Sequence, residues 1–400
     1  LPSSKMTHDI EKSTLYIASG FIAALVIHVI HRNIPHSVDL WPARPSGSGQ
    51  DTMYAIQYSN RSSSPLLNFV SNYPRPILRP HQVLLKVKYS ALNPCDFKFR
   101  RNTIIPNLLL PKSKIPGEDL SGIIVELGSK VQSEKLWKIG DHVAAMMPLL
   151  GSRWGSLAEF AAVDASFLGR VGTNTTLSQA ASMPLVGLTV VQAMNLWKRR
   201  NRRNSILIHA GAGGVGTFAI QYAKNVLHFD WIATTASSGR RDLLMGLGAD
   251  EIIDYHTTKF EDVISNYDVV LDTMSWAYET RTWNSGVLNG RGHYLNILSS
   301  DWMFHNGMER TNGILSLARL AYSKIRNTIL PGHVPHYDIV AVTPNGTQLQ
   351  FILDLVDAGL IQPVIDSIFT LKDAEKGLTY LEGGHASGKV LIHHDITTLN

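Results

Sequence analysis

The most informative stretch of this sequence runs from residue 205 to residue 229 and reads SILIHAGAGGVGTFAIQYAKNVLHF. An apolar segment typical of a buried strand leads into glycines spaced G-x-G-x-x-G (Gly211, Gly213 and Gly216), and an apolar helical pattern follows. This context favours a dinucleotide-binding turn over an ordinary glycine-rich turn. We expect Gly211 to permit the tight turn, Gly213 to let the backbone approach the pyrophosphate, and Gly216 to allow close helix–strand packing.

Working outward from this stretch, helical and strand patterns alternate along the chain. Downstream, the patterns predict helices at 217–229 and 243–249 and strands at 231–237, 251–255, 268–273 and 292–298. Upstream, they predict a helix at 188–197 and strands at 81–93, 120–131 and 141–148. Near the end of the sequence, they predict a helix at 348–359 and a strand at 389–394. Strand–helix alternation is typical of an α/β fold with a parallel sheet, whereas the earlier part is rich in strands and turns. We therefore predict two domains.

Composition excludes several classes of protein. The chain has 400 residues, 44% of them hydrophobic, and a single cysteine. One cysteine rules out an intrachain disulfide framework and a cysteine-cluster zinc site, so a reducing compartment fits best. The net charge is +5, and its main cluster is the basic run from Lys198 to Arg203. We interpret that run as a solvated turn and expect no nucleic-acid partner; a phosphate-backbone patch is the alternative.

The N-terminal region differs in composition from the rest. An apolar segment extends from Leu15 to Ile30, and a Pro/Gly/Ser-rich linker follows at 42–50. We interpret the segment as a hydrophobic helix that anchors the protein in a membrane; a cleaved or peripheral segment is the alternative. The predicted limits are 1–51 for anchor and linker, 52–187 for the β-rich catalytic domain, 188–340 for the nucleotide-binding domain, and 341–400 for a segment returning to the catalytic domain.

The residues after the predicted second strand of the nucleotide-binding domain favour NADPH over NADH. They read Ser237-Ser238-Gly239-Arg240-Arg241 and contain no acidic residue. An NAD site places Asp or Glu here to bind the ribose 2′-hydroxyl, whereas guanidinium groups suit a 2′-phosphate. The alternative is that both arginines merely open a solvated helix.

Further motifs carry a family resemblance. They are A-L-N-P-C-D (91–96), I-P-G-E-D-L-S-G (115–122), G-S-L-A-E-F (155–160), A-S-M-P-L-V-G-L-T (181–189), L-G-A-D (247–250) and G-H-A-S-G-K (384–389). Together with the glycine motif, the chain resembles the medium-chain dehydrogenase/reductases, in particular their zinc-free quinone oxidoreductase branch. The resemblance implies a GroES-like catalytic domain joined to a Rossmann domain, a mitochondrial location, and a link to coenzyme Q metabolism.

The resemblance also implies that no metal is bound. The position of the catalytic cysteine in zinc-dependent relatives is Asn93 here, and that of the catalytic histidine is Glu118. A catalytic zinc needs about three N, S or O ligands from the protein. We expect Cys95 to act as a small packed hydrophobic residue rather than as a ligand or nucleophile.

Cofactor-binding positions carry over from the family residue by residue. They are Ala212, Gly213, Gly214, Val215 and Gly216 in the phosphate turn; Ser237, Arg240 and Tyr255 at the 2′-phosphate; Thr273, Ile297 and Ser299 near the nicotinamide; and Gly384, His385 and Ala386 closing over the cofactor. Two departures stand out. The family's D-x-V-G-G reads Asp272-Thr-Met-Ser275, and the arginine of G-H-A-R-G-K is Ser387.

The implied reaction is hydride transfer from the nicotinamide to a quinone or another conjugated carbonyl. Asn93 is the candidate orienter of the reacting carbonyl, and Asp96 is expected to brace its loop; scaffolding is the alternative for both.

A function of a different class is a nucleotide-binding, membrane-associated scaffold with little turnover. The apolar and basic stripe at 315–326 is interpreted as core or as a homodimer face, with a membrane surface as the alternative.

Overall fold

The computed structural model of the chain describes residues 52–59, 67–98, 113–148, 154–197, 204–274, 276–297 and 335–395, together with Tyr322 and Ile325. The predicted N-terminal hydrophobic helix, the basic run at 198–203 and the rest of the stripe at 315–326 lie outside these residues. Within the described part, no helix has both the length and the apolar character needed to cross a bilayer.

The strands in the described part of the chain are β1 (Thr52–Ser59), β2 (Leu67–Pro74), β3 (Gln82–Leu92), β4 (Ser113–Lys114), β5 (Asp119–Leu127), β6 (His142–Met146), β7 (Phe160–Asp164), β8 (Leu168–Arg170), β9 (Ser205–Ile208), β10 (Trp231–Ala236), β11 (Glu251–Asp254), β12 (Tyr267–Asp272), β13 (Leu288–Ile297), β14 (His336–Val340), β15 (Ile365–Thr370) and β16 (Lys389–His393). The helices are α1 (Pro94–Lys98), α2 (Ser129–Glu134), α3 (Leu177–Ala181), α4 (Pro184–Leu196), α5 (Gly214–Asn225), α6 (Arg241–Gly246), α7 (Phe260–Val263), α8 (Trp276–Ser285), α9 (Gly346–Asp357) and α10 (Ala374–Glu382), with short 3-10 turns at Ala165–Phe167, Ser238–Arg240 and Leu371–Asp373.

Six strands form one sheet in the order β11-β10-β9-β12-β13-β14, and every neighbouring pair is parallel. We call it the parallel sheet. Its central strands β9 and β12 are buried except at Ser205 and Asp268, which fits near-continuous apolar runs in a sheet with both faces covered by helices. The strand order reverses between β9 and β12. Ligands of such sheets bind outside the carboxyl ends of the strands at that reversal, so the topology marks a site beyond Ile208 and Asp272.

The helices beside the parallel sheet begin earlier than the periodicity indicates. α4 begins at Pro184 rather than at residue 188, because proline suits the first helical turn, where its missing N–H has no partner to lose. α5 begins at Gly214 rather than at 217, directly after the glycine motif. The other strands and helices predicted around that motif are confirmed within a few residues of their predicted ends.

A seven-stranded sheet, the mixed sheet, contains β15-β16-β3-β5-β6-β8, with β7 paired to β3. Its pairs are antiparallel except β15 with β16. β16 comes from the C-terminal region and pairs with β3, placing Val390 opposite Leu92. The chain therefore returns to its first half, and the segment just before β16 crosses from one sheet to the other. A smaller sheet, β2-β1-β4, packs beside the mixed sheet.

Both sheets confirm the predicted α/β class, with a doubly wound parallel sheet and a β-rich part. The exact domain limits drawn from the sequence stay predictions. β14 and β15 were not predicted, because neither has a clean apolar alternation. β14 carries His336 and Asp338, and Asp338 makes a 2.8 Å contact with Nε2 of His293 on β13. Such polar pairs within a sheet conceal a strand from periodicity.

Candidate active site

The glycine turn, residues 209–216, connects β9 to α5 at the reversal of the parallel sheet. Two of its glycines are required by close packing. A Cβ on Gly216 would overlap the carbonyl oxygen of Ala210 and lie 2.6 Å from Cα of Gly211. A Cβ on Gly211 would collide with the side chain of Thr234 on β10. These two positions therefore keep the turn tight against the sheet.

Gly213 differs from Gly211 and Gly216 because open space, rather than close packing, lies beside its Cα. A Cβ there would meet only the carbonyl oxygen of Ala210, at 3.4 Å, among the described residues. Gly213 is also the extended N-cap of α5, so the N–H groups of Gly214, Val215 and Gly216 belong to the first helical turn, where no intrahelical acceptor exists. An open approach to free N–H groups at a positive helix end fits a pyrophosphate.

The residues predicted to contact a 2′-phosphate lie together at the carboxyl ends of β10 and β11. Ser237 follows β10, and Arg240 ends the next short turn. Arg240 is half-buried, and its Nη2 donates to the carbonyl oxygen of His385 at 2.9 Å. Tyr255 follows β11 with 51% of its surface exposed. One guanidinium, one hydroxyl and one phenol thus border the same end of the sheet.

Asp254, the last residue of β11, stabilises the turn next to Ser237, Arg240 and Tyr255. Its carboxylate accepts hydrogen bonds from the backbone N–H groups of His256 (3.0 Å) and Ser238 (3.2 Å). These bonds, that of His256 foremost, hold the pKa of Asp254 below its usual value. The ionised carboxylate therefore fixes the turn that carries Ser237 and Arg240.

On the other side of the reversal, Thr273 follows β12, and its hydroxyl donates to the carbonyl oxygen of His209 at 2.8 Å. Asp272 is buried and accepts from the hydroxyl of Tyr294 (2.5 Å) and from the N–H of Met274 (2.8 Å). Asp272 thus caps the turn although the family's glycines are replaced here.

Ile297 is the last residue of β13, is half-buried, and packs against the core under the parallel sheet. Ser299 lies outside the described residues. Thr273 and Ile297 therefore lie at the carboxyl ends of two adjacent strands, β12 and β13.

The segment before β16 crosses over the glycine turn. The N–H of Gly388 donates to the carbonyl oxygen of Ala212 at 2.8 Å, and Gly213 and Gly388 form a parallel bridge. Together with the bond from Arg240 to His385, these contacts bring the predicted C-terminal residues to the same site as the predicted turn residues.

Gly384 and His385 are exposed, whereas Ala386 packs partly against the core of the mixed sheet. Gly384 has a φ of +73°, which suits glycine. Ser387 is buried, and its N–H donates to Asp366 at 2.8 Å. This bond is made by the backbone, and the Ser387 hydroxyl is buried with no hydrogen-bond partner among the described residues, so the charge of the family's arginine is not replaced at this position.

Asn93 lies in a buried cluster that we call the Asn93 corner (Asn93, Asp96, Asp119 and Lys389). Its amide nitrogen donates to Asp119 (2.9 Å) and to the carbonyl oxygen of Ala91 (3.3 Å), and its amide oxygen accepts from Nζ of Lys389 at 2.5 Å. Both amide hydrogens are thus used within the protein. Asn93 has no hydrogen left to donate to a developing oxyanion in this arrangement, so we treat it as a positioning residue.

Asp96 braces the loop as predicted. Its carboxylate accepts from the N–H of Asn93 (2.8 Å) and from the N–H of Gly117 (3.1 Å). The motifs at 91–96 and 115–122 are therefore joined through one buried side chain.

The groups near the family's zinc position are engaged with each other. The thiol of Cys95 donates to Glu118 at 3.3 Å. Burial, and then the nearby carboxylates of Glu118 and Asp96, raise the pKa of that thiol well above its usual value. Across the described residues, no three His, Cys, Asp or Glu side chains are grouped so that they could hold a metal ion.

His209, at the start of the glycine turn, is fully buried between the rings of Phe260 and Tyr278, each 4.7 Å away. Burial, assisted by the nearby Arg281, lowers its pKa to about 3. The imidazole is therefore neutral and acts as a packing group under the turn.

Asp119 and Lys389 lie within the sequence motifs at 115–122 and 384–389, but the motifs do not predict that the two side chains meet. Lys389 is the first residue of the buried strand β16, and Asp119 is the first residue of β5. A charged residue attached to a buried strand was the available signal, because such a charge needs a partner. Their pairing is long-range and leaves no local pattern.

Comparison with known proteins agrees with this geometry. Residues 79–173 match the family model described as the alcohol dehydrogenase GroES-like domain, and residues 247–392 match that described as zinc-binding dehydrogenase. The 2-methylene-furan-3-one reductase of Solanum lycopersicum is 32% identical over 349 residues, covering 85% of this chain and 79% of that protein.

The mitochondrial NAD(P)H oxidoreductase RTN4IP1 of Homo sapiens is 30% identical over 353 residues, covering 82% of this chain and 86% of that protein. The solved structure of the quinone oxidoreductase from Coxiella burnetii has a TM-score of 0.70 at 27% identity and covers 86% of this chain and 99% of that one. The chain belongs to the medium-chain dehydrogenase/reductase superfamily of oxidoreductases and lies among its quinone oxidoreductase-like members.

Proposed function

We propose that this chain is an NADPH-dependent oxidoreductase that transfers hydride to a quinone or another conjugated carbonyl without a zinc ion. The observation that carries the proposal is the open glycine turn at the reversal of the parallel sheet, bordered by Arg240. Bound NADPH would supply the hydride from its nicotinamide ring. The names of the relatives, a furanone reductase, an NAD(P)H oxidoreductase and a quinone oxidoreductase, support this reaction class.

The preference for NADPH rests on the residues around the end of β10. Ser237 and Arg240 lie there, and residues 237–241 include no acid that would bind a ribose 2′-hydroxyl. A guanidinium forms charge-assisted hydrogen bonds to a phosphate dianion, and removing one such group costs roughly 1.5–3 kcal/mol of binding.

On the substrate side, we propose that the chain's role is to orient. Thr273 and Ile297 would set the face of the nicotinamide ring, and Asn93 would hold the loop opposite through its contacts to Asp119 and Lys389. A quinone or enone is already electrophilic, so the proposed hydride transfer needs no metal to activate it. The side-chain amide of Asn93 is bonded to its neighbours within the protein.

We also propose a mitochondrial location, supported by the resemblance and by the printed name of the human relative. A hydrophobic quinone such as coenzyme Q would fit that compartment. The apolar segment from Leu15 to Ile30 would then attach the protein to a membrane. Carbonate extraction of mitochondria tests the attachment, because an anchored chain stays with the membrane pellet and a peripheral one is released.

Oxidation of NADPH with a panel of quinones and enones tests the reaction. We expect turnover with at least one acceptor. Arg240→Ala should raise the Kd for NADPH about tenfold or more and change that for NADH far less. Arg241→Ala, in an exposed neighbour, is the matched control and should keep the parental preference. A strong thermal shift with NADPH but no turnover across the panel would instead indicate the scaffold.

A further inference from the structure

We propose that Lys389 is a positioning residue that holds the glycine turn in a fixed place against the Asn93 corner. The two sheets would then present cofactor and substrate to each other as one unit. This inference rests on the proposed function for its meaning in catalysis, although the contacts that carry it belong to the protein alone.

Toward the mixed sheet, the ammonium group of Lys389 has three acceptors. They are the carbonyl oxygen of Leu92 (3.1 Å), the amide oxygen of Asn93 (2.5 Å) and the carboxylate of Asp119 (3.1 Å). The side chains of Lys389 and Asp119 are 4% and 0% exposed. A fully paired cation at this depth has one defined position, because moving it would leave buried charges without partners.

Toward the parallel sheet, the stem of the same side chain lies against the start of α5. A Cβ placed on Gly214 would fall 2.8 Å from Cδ of Lys389. The preceding residue, Gly388, donates its N–H to Ala212 within the glycine turn. Lys389 therefore touches the turn with its stem and the corner with its charged end.

Asp119 closes the connection by a second route. Its other carboxylate oxygen accepts from the N–H of Leu185 at 2.7 Å, in the first turn of α4. The next residue, Val186, lies 3.2 Å from the same Cβ position on Gly214. Asp119, the start of α4, Gly214 and Lys389 thus form a closed ring of contacts that spans both sheets.

Variants of the Lys389–Asp119 ion pair can distinguish a role in overall stability from a role in positioning the glycine turn. Removing one member of a buried ion pair strands the other charge and destabilises the fold, whereas replacing both with neutral groups of similar size is tolerated far better. We therefore compare Lys389→Met, Asp119→Asn and the double variant. The double variant should melt above either single variant because no lone charge remains.

In the double variant of the free protein, hydrogen exchange at the bonded N–H groups of Gly211, Gly213 and Gly388, which hold the glycine turn, should be about tenfold faster than in the parent, while exchange in β12 stays parental. Its Kd for NADPH should rise about tenfold. The matched control is Lys224→Met with Asp250→Asn, a half-exposed pair at the far end of α5 that does not bridge the sheets. It should leave both quantities parental.

Parental exchange at the N–H groups of Gly211, Gly213 and Gly388 in a folded double variant would overturn the proposal, whatever the cofactor affinity. Equally fast exchange throughout the molecule would overturn it as well, since the pair would then act on global stability. The exchange measurement needs no cofactor. If the parent chain failed to bind NADPH, the proposed function would fall while the role of Lys389 would still be tested.

Discussion

The glycine turn and the Asn93 corner are both encoded in short motifs, yet they are built in opposite ways. The turn is formed by neighbours in sequence and leaves open space at Gly213. The corner brings Asn93 together with Asp119 and Lys389, which are 26 and 296 positions away, and both hydrogens of the Asn93 side-chain amide are used within the protein. The first arrangement suits binding, and the second suits holding other groups in place.

The largest effect should come from the glycine turn. Gly216→Ala places a methyl group against the backbone of Ala210 and Gly211, so the turn must move. We expect NADPH affinity to fall about a hundredfold or more, with a clear loss of thermal stability. Fluorescence titration and thermal denaturation measure the two effects.

Gly213→Ala is the matched variant within the same turn. Its methyl group meets only one oxygen, at 3.4 Å, so stability should stay near parental while NADPH binding weakens. If Gly213→Ala bound NADPH like the parent, the open approach at Gly213 would not be where the pyrophosphate lies.

Asn93→Ala should act on the fold before it acts on chemistry. The change leaves Asp119 and Lys389 each with one hydrogen bond fewer in a buried place, which costs about 3 kcal/mol of unfolding free energy. Urea unfolding measures the loss. A parental unfolding free energy combined with a large fall in kcat alone would contradict the positioning role and restore Asn93 as a direct participant.

Acid should destabilise the folded protein. Burial lowers to about 3 the pKa of two histidines: His209, the first residue of the glycine turn, and His394, which contacts Ser90 on β3. Each folded histidine stays neutral where the unfolded one, with a pKa near 6.5, takes up a proton. The contribution of these two histidines to the free energy of unfolding is therefore fully present above about pH 6.5 and is lost as the pH falls toward 3. At pH 5 the loss is on the order of 2 kcal/mol per histidine.

Urea unfolding at pH 7 and pH 5 measures this loss. His394→Leu should lose less stability between the two pH values than the parent, and His256→Leu, in an exposed histidine, should keep the parental difference. The same pH dependence in His394→Leu as in the parent would show that the buried imidazole is not the group responsible.

The smallest effect concerns the corner's neighbour Cys95. Because burial and the nearby carboxylates keep its thiol protonated, iodoacetamide should label it at least about tenfold more slowly at pH 7.5 in the native protein than in urea. The chain has a single cysteine, so total labelling reports this site alone. Equal rates in the two states would show that the Cys95 thiol is accessible and ionisable in the native protein, and would contradict its burial beside Glu118.

The sequence was sufficient for whatever depends on neighbours along the chain. The spacing of Gly211, Gly213 and Gly216 between an apolar strand and an apolar helix specified the turn, because backbone sterics there act over a few residues. The absence of an acid after β10 and the presence of Arg240 likewise are local facts. The parallel sheet followed from the alternation of strands and helices.

The partners of Asn93 depended on how the chain returns. β16 comes from the far end of the chain and pairs with β3, and only that pairing brings Lys389 to Asp119. A buried charge must find a counter-charge wherever the fold supplies one, and no spacing in the sequence encodes a contact 270 residues away. The residues proposed to bind NADPH were thus visible in the motifs, whereas the residues proposed to hold that site in place are brought together only by the packing of the two sheets.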